Sequence, residues 1–64
     1  MKPKITYDSS VNAAHIRLSS TDVFESEEVS ADVVFDFDRD GHSVGIELLN
    51  ARIQLTTDML AEAA

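Results

Sequence analysis

Asp36, Asp38 and Asp40, with Gly41 after them and then Glu47 following five intervening residues, match a calcium-binding loop letter for letter. The chemistry behind that spacing is sound. Alternating carboxylates can wrap a hard cation, the glycine permits a sharp turn, and the closing glutamate binds through both oxygens. Such a loop, however, lies between two helices, and both flanks of this one alternate polar and apolar residues with the period of a strand. The expected structure is therefore a hairpin with an Asp-rich turn. The chemical reading that survives is weak divalent-metal binding by Asp36, Asp38, Asp40 and Glu47.

Gly41-His42-Ser43-Val44-Gly45 matches G-x-S-x-G, the nucleophile elbow of the α/β-hydrolases. That motif needs a strand-to-helix turn at the serine and a histidine later in the chain. Here a strand is expected after Ser43, and no histidine follows His42. The two side chains also fall on opposite faces of an extended segment. No catalytic residue is assigned. His15 alternates with Ile16 and is expected to face solvent or a partner. A chain this small offers little volume for a pocket that would perturb paired carboxylates. Glu25, Glu27 and Glu28 form an acidic patch suited to an edge strand or to docking a basic partner.

The elements that position these residues follow from period two. Ile5 and Tyr7 alternate with polar neighbours in a first strand. Ala14, Ile16 and Leu18 do so in a second, and Val23–Val29 is compatible with a charged edge strand. The clearest element is a hairpin from Val33 to Leu49. With Asp40-Gly41 as a two-residue turn, Phe37 faces Val44, Phe35 faces Ile46 and Val33 faces Leu48. Slipping by one residue replaces those partners with Ser43, Gly45 and Glu47, so the apolar match selects the register. In that register Glu47 lies opposite Val34, away from the turn. Residues 56–63 read as a short helix capped by Thr56 or Thr57, with Leu55, Met59 and Ala63 as an apolar stripe. The expected fold is α+β and mainly β: one domain over residues 1–64, with an antiparallel meander of about five strands over 4–51 and a C-terminal helix over 56–63.

Sixty-four residues bury only about 60% of the surface that the unfolded chain exposes. There is no cysteine, and His15 and His42 are too few for a closed zinc site. No cofactor is expected. Self-association is one of the usual supports for so small a scaffold, so a homodimer is expected. The net charge of −7 argues against nucleic acid and against anionic membranes, and favours a basic protein partner. No apolar stretch has the length of a signal peptide or membrane span, so a cytoplasmic location is expected.

Lys4-Ile5-Thr6-Tyr7-Asp8, Ala14 with Ile16-Arg17-Leu18, Glu25-Ser26-Glu27-Glu28-Val29, and Asp36-x-Asp38-x-Asp40-Gly41-x-x-Val44-Gly45-Ile46-Glu47 occur in that order. Together they resemble the short bacterial proteins catalogued as domain of unknown function 2283, from Lys4 to about Ala51. The resemblance implies a shared scaffold without an established activity, and an association of some members with toxin–antitoxin-type gene pairs. His15 stands where that family leads one to expect an aromatic residue, and Arg52–Ala64 lies outside the resemblance. The functional expectation is a non-enzymatic protein-interaction module, antitoxin-like in binding a basic partner. Its contact residues are expected to be Glu25, Glu27 and Glu28 on the edge strand and Leu55, Met59 and Leu60 on the tail. A purely self-associating domain is the other alternative.

Overall fold

The computed structural model describes residues 2–63. Five strands, β1 (Lys4–Asp8), β2 (Ala13–Arg17), β3 (Glu25–Ser30), β4 (Val33–Phe37) and β5 (Ser43–Leu49), precede two short helices, α1 (Ala51–Gln54) and α2 (Thr57–Ala63). The strands form one antiparallel sheet in the order β1-β2-β5-β4-β3. A β1–β2 hairpin and a β3–β4–β5 meander are thus zipped together along β2 and β5. The segment joining β2 to β3 runs across one end of the sheet. It is held there where Leu18 N–H donates to Val44 O and Phe24 N–H donates to Phe37 O.

The central hairpin keeps the apolar register at Val33–Leu48 and Phe35–Ile46, and Val34 lies opposite Glu47 as expected. Its tip differs. The strands are joined by Asp38–His42, and a bulge pairs Phe37 with Ser43 in place of Val44. The cause is the Asp38 side chain. Its Oδ1 accepts from the backbone N–H groups of Asp40 and His42, while Gly41 N–H donates to Asp38 O. This carboxylate organises a wider loop than a two-residue turn, and Gly41 takes the left-handed conformation within it (φ 85°).

The other end of the sheet is fastened by three residues with left-handed backbones, Asn12, Asp32 and Asn50. Asn and Asp tolerate that conformation better than other non-glycine residues. Leu49 N–H donates to Asp32 O and Ala51 N–H to Asn12 O, and the Asn50 amide donates to Asp32 Oδ2. Asn12 Oδ1 also accepts from Arg52 N–H and from the Tyr7 hydroxyl. The chain therefore leaves β5 directly into α1. The strands end at Leu49 and not at Ala51, and the helix expected over 56–63 is α2; a further helix that was not expected, α1, precedes it, with Leu55 in extended conformation after α1. The third strand is shorter than Val23–Val29 suggested at its start and is displaced by a bulge between Glu28 and Ser30.

One face of the sheet is apolar. Ala14, Leu48 and Ala51 are its buried centre, with Tyr7, Ile16, Val33, Ile46, Leu55 and Leu60 packed around them. The C-terminal helices thus close on their own sheet, α2 lying against β1. At about 25 cal/mol per Å² of apolar area, this off-centre core is the main favourable term the chain has.

Candidate functional site

The opposite face carries the polar side chains, because residues two apart on a strand share a face. Two adjacent cross-strand rows meet there. One runs Ser26, Asp36, Gly45, Arg17 through β3, β4, β5 and β2; the next runs Glu28, Val34, Glu47, His15, Thr6 and ends on β1. At their centre Asp36 is only 2% exposed. Ser26 Oγ donates to Asp36 Oδ1 at 2.6 Å, and His15 Nε2 approaches Asp36 Oδ2 to 3.3 Å. The histidine contact lacks hydrogen-bond alignment, so its attraction is electrostatic when the ring is protonated.

Gly45 makes this approach possible. A Cβ at that position would lie 2.9 Å from His15 Nε2 and 3.0 Å from Asp36 Oδ2. A glycine inside an apolar strand often marks such a close approach. The two carboxyl groups respond in opposite directions. Burial alone would raise Asp36, but hydrogen bonds with Glu47 and Ser26 and the charge of His15 outweigh it and hold Asp36 below the ordinary carboxylate value. Glu47 is pushed above its ordinary value, first by the hydrogen bond to Asp36, then by burial and by the Asp36 charge. Glu47 is accordingly the first of the pair to take up a proton as pH falls.

His15 is thus half-buried against a carboxylate, a correction to the expectation that it faces solvent or a partner. Likewise the sheet does perturb a carboxyl pair, because it needs no deep pocket when two strands set Asp36 and Glu47 on the same face. The calcium-type set is divided. Asp36 and Glu47 belong to this cluster, while Asp38 and Asp40 lie in the loop with His42, the three within 4.8 Å of one another. The Asp38 carboxyl is held low by hydrogen bonds from His42 N–H, against burial, and from Asp40 N–H, with His42 Nδ1 at 3.3 Å from Oδ2. Its oxygens already serve the loop backbone. Ser43 begins β5 and the chain continues as strand, so no nucleophile elbow forms.

Glu25, Glu27 and Glu28 all lie on β3, the edge strand, where each of the six residues is exposed. Among the described residues they enter no ion pair with lysine or arginine. Beside the edge, Phe24 is 57% and Val29 49% exposed, and the Arg39 guanidinium sits 4.6 Å from the Phe24 ring centre. The expected tail contacts separate. Leu55 and Leu60 turn inward onto the core, while Met59 lines a groove between α2 and β1 with Pro3 and Ile5.

The family model described as "Protein of unknown function (DUF2283)" matches residues 4–52, from the start of β1 to the second residue of α1. It takes in all five strands, the Asp36 cluster and the Asp-rich loop. No curated protein and no solved structure matches the chain.

Proposed function

This chain belongs to the DUF2283 family of proteins of unknown function, and we propose that it works as a non-enzymatic interaction module that docks a basic protein along β3. The observation that supports this reading is the edge itself. Six consecutive residues are exposed, no strand covers their outer side among the described residues, and Glu25, Glu27 and Glu28 lack a basic partner there. Main-chain groups on such an edge give affinity to an added strand, and its side chains set the preference. Carboxylates on both faces of β3 favour a segment rich in lysine and arginine and repel acidic strands. Exposed Phe24 and Val29 add apolar contact at the two ends. A toxin neutralised by strand addition is one form that such a partner would take.

The test is capture of partners from lysate of the host with wild-type protein and with a Glu25→Lys/Glu27→Lys/Glu28→Lys variant. A basic protein held in fixed ratio by the wild type, released by salt and not held by the variant, is the expected result. Equal recovery by both proteins would remove β3 as the docking edge.

A further inference from the structure

An antiparallel sheet of five strands has two edges, and the second one, β1, has a different character from β3. From the geometry of β1 we infer that two copies of this chain pair antiparallel through β1, about a two-fold axis at Thr6, to form one continuous ten-stranded sheet.

The sequence of β1 is self-complementary. Centred on Thr6, Lys4 of one copy lies opposite Asp8 of the other, Ile5 opposite Tyr7, and Thr6 opposite Thr6. Opposite charges, an aliphatic–aromatic pair and a threonine pair are each favourable cross-strand neighbours. Lys4, Thr6 and Asp8 are exposed, and Lys4 makes no ion pair among the described residues. Within one chain Lys4 and Asp8 stand about 13 Å apart along the strand, too far to pair with each other. β3 offers a second copy no such match. Pairing it with itself about its middle sets Glu27 opposite Glu27 or Glu28, and like charges directly opposite are destabilising.

The backbone has the parity this register needs. Leu18 N–H donates to Val44 O, and Asn12 O accepts from Ala51 N–H, so the even-numbered residues of β2 turn their groups towards β5. Alternation leaves Ala13, His15 and Arg17 to bond with their β1 partners Asp8, Thr6 and Lys4. The N–H and C=O groups of Ile5 and Tyr7 therefore point out of the edge. In the register centred on Thr6 these two residues are directly opposite, and each two-fold related pair exchanges both hydrogen bonds. Thr6 and the Lys4–Asp8 pairs fall at non-hydrogen-bonded positions, where side chains come closest.

The groove between β1 and α2, about 420 Å³ and lined by Pro3, Lys4, Ile5, Met59, Glu62 and Ala63, lies on the same side. Ile5 and Tyr7 share a face, so the partner copy's ring would arrive beside Ile5 at this groove. The contact would be isologous and closed, as two-fold interfaces are.

Sedimentation of the full chain over a concentration series, alone and as paired charge variants, tests the assignment. Lys4→Asp makes both positions acidic, and Asp8→Lys makes both basic. Each variant alone should dimerise about tenfold or more weakly than the wild type, and an equimolar mixture should regain the dimer mass, because every cross-copy pair is then opposite in sign. Glu27→Lys should leave the dimer unchanged, which separates this interface from the proposed docking edge. Thr6→Lys, which sets two ammonium groups face to face on the axis, should be monomeric with an unaltered far-ultraviolet spectrum. A wild type that stays monomeric at millimolar concentration would overturn the assignment. So would a mixture of the two charge variants that associates no better than either alone.

Discussion

His15 Nε2 lies 3.3 Å from Asp36 Oδ2 although β5 runs between the strands that carry them. Two side chains on strands separated by a third are ordinarily kept apart by whatever the middle strand presents. Here the middle strand presents Gly45. The contact is therefore a three-residue device: a histidine, a buried carboxylate and the missing side chain between them.

Gly45→Ala should destabilise the fold by roughly 1–3 kcal/mol, the usual cost of forcing extra atoms into a packed site. The added methyl must displace either the His15 ring or the Asp36 carboxylate. Of the two, the partly exposed ring is the freer to move. If so, His15→Ala should soften the effect, and the double variant should be more stable than the sum of the single changes by at least about 0.5 kcal/mol. Additive denaturation midpoints would show that the clash is taken up elsewhere.

Glu47 sets the pH dependence of the cluster. Its folded-state value lies above 4.5, so the stability it supplies is complete below pH 4.5 and is lost as pH rises through the folded value. Asp36 acts in the opposite sense: its contribution is present above pH 3.8 and is lost as pH falls through its lowered value. Glu47→Gln keeps a side chain able to donate to Asp36 and removes the charge. At pH 7 it should raise stability by about 1 kcal/mol, or about 4–8 °C in Tm. Below pH 4.5 the difference should vanish. A Tm gap that stays constant from pH 4 to 7 would contradict the raised Glu47 carboxyl.

The hairpin register was legible in the sequence because apolar pairs fix it without help from any other element: Val33–Leu48 and Phe35–Ile46 follow from pattern alone. The cluster was not legible for a related reason. It depends on the pairing of β2 with β5, strands with 25 residues between them in the chain. No turn dictates that register. Gly45 was the one local signal, a glycine in a strand of otherwise larger residues. The wide loop at Asp38–His42 escaped because Asp40-Gly41 is itself a favoured hairpin turn, and the Asp38 side chain overrides it. The first helix escaped because Asn50 begins it from a left-handed backbone with no side-chain cap, so none of the usual start signals is present.

Ser26→Ala should cost about 1–3 kcal/mol at neutral pH, because it withdraws a 2.6 Å donor from a buried charge. The serine is exposed on the edge strand, and a surface serine away from such a contact would cost under about 0.5 kcal/mol. Ser26→Thr retains the hydroxyl and should restore most of the loss. Denaturant midpoints of the two variants decide the matter, and equal midpoints for alanine and threonine would show that the hydroxyl contributes nothing.

The Asp-rich loop gives the last prediction, and pH separates its structural role from a generic loss of charge. Asp38 is held low by N–H donors from His42 and Asp40, so the stability it supplies is present above pH 3.8 and is lost as pH falls through its folded value. Asp38→Ala should therefore lower Tm at pH 7 and show a shrinking difference from the wild type on acidification. Asp40→Ala, whose carboxylate serves none of these backbone donors, removes the same formal charge and should leave Tm at pH 7 nearly unchanged. Gly41→Ala should cost about 1 kcal/mol at any pH, since its penalty comes from a positive φ and not from titration. If calcium at millimolar concentration raised the Tm of the wild type and the Asp38→Ala variant lost that gain, Asp38 would be a cation ligand besides closing the loop. With no such gain, the three aspartates are accounted for by one buried carboxylate on the sheet, one loop cap and one exposed turn residue.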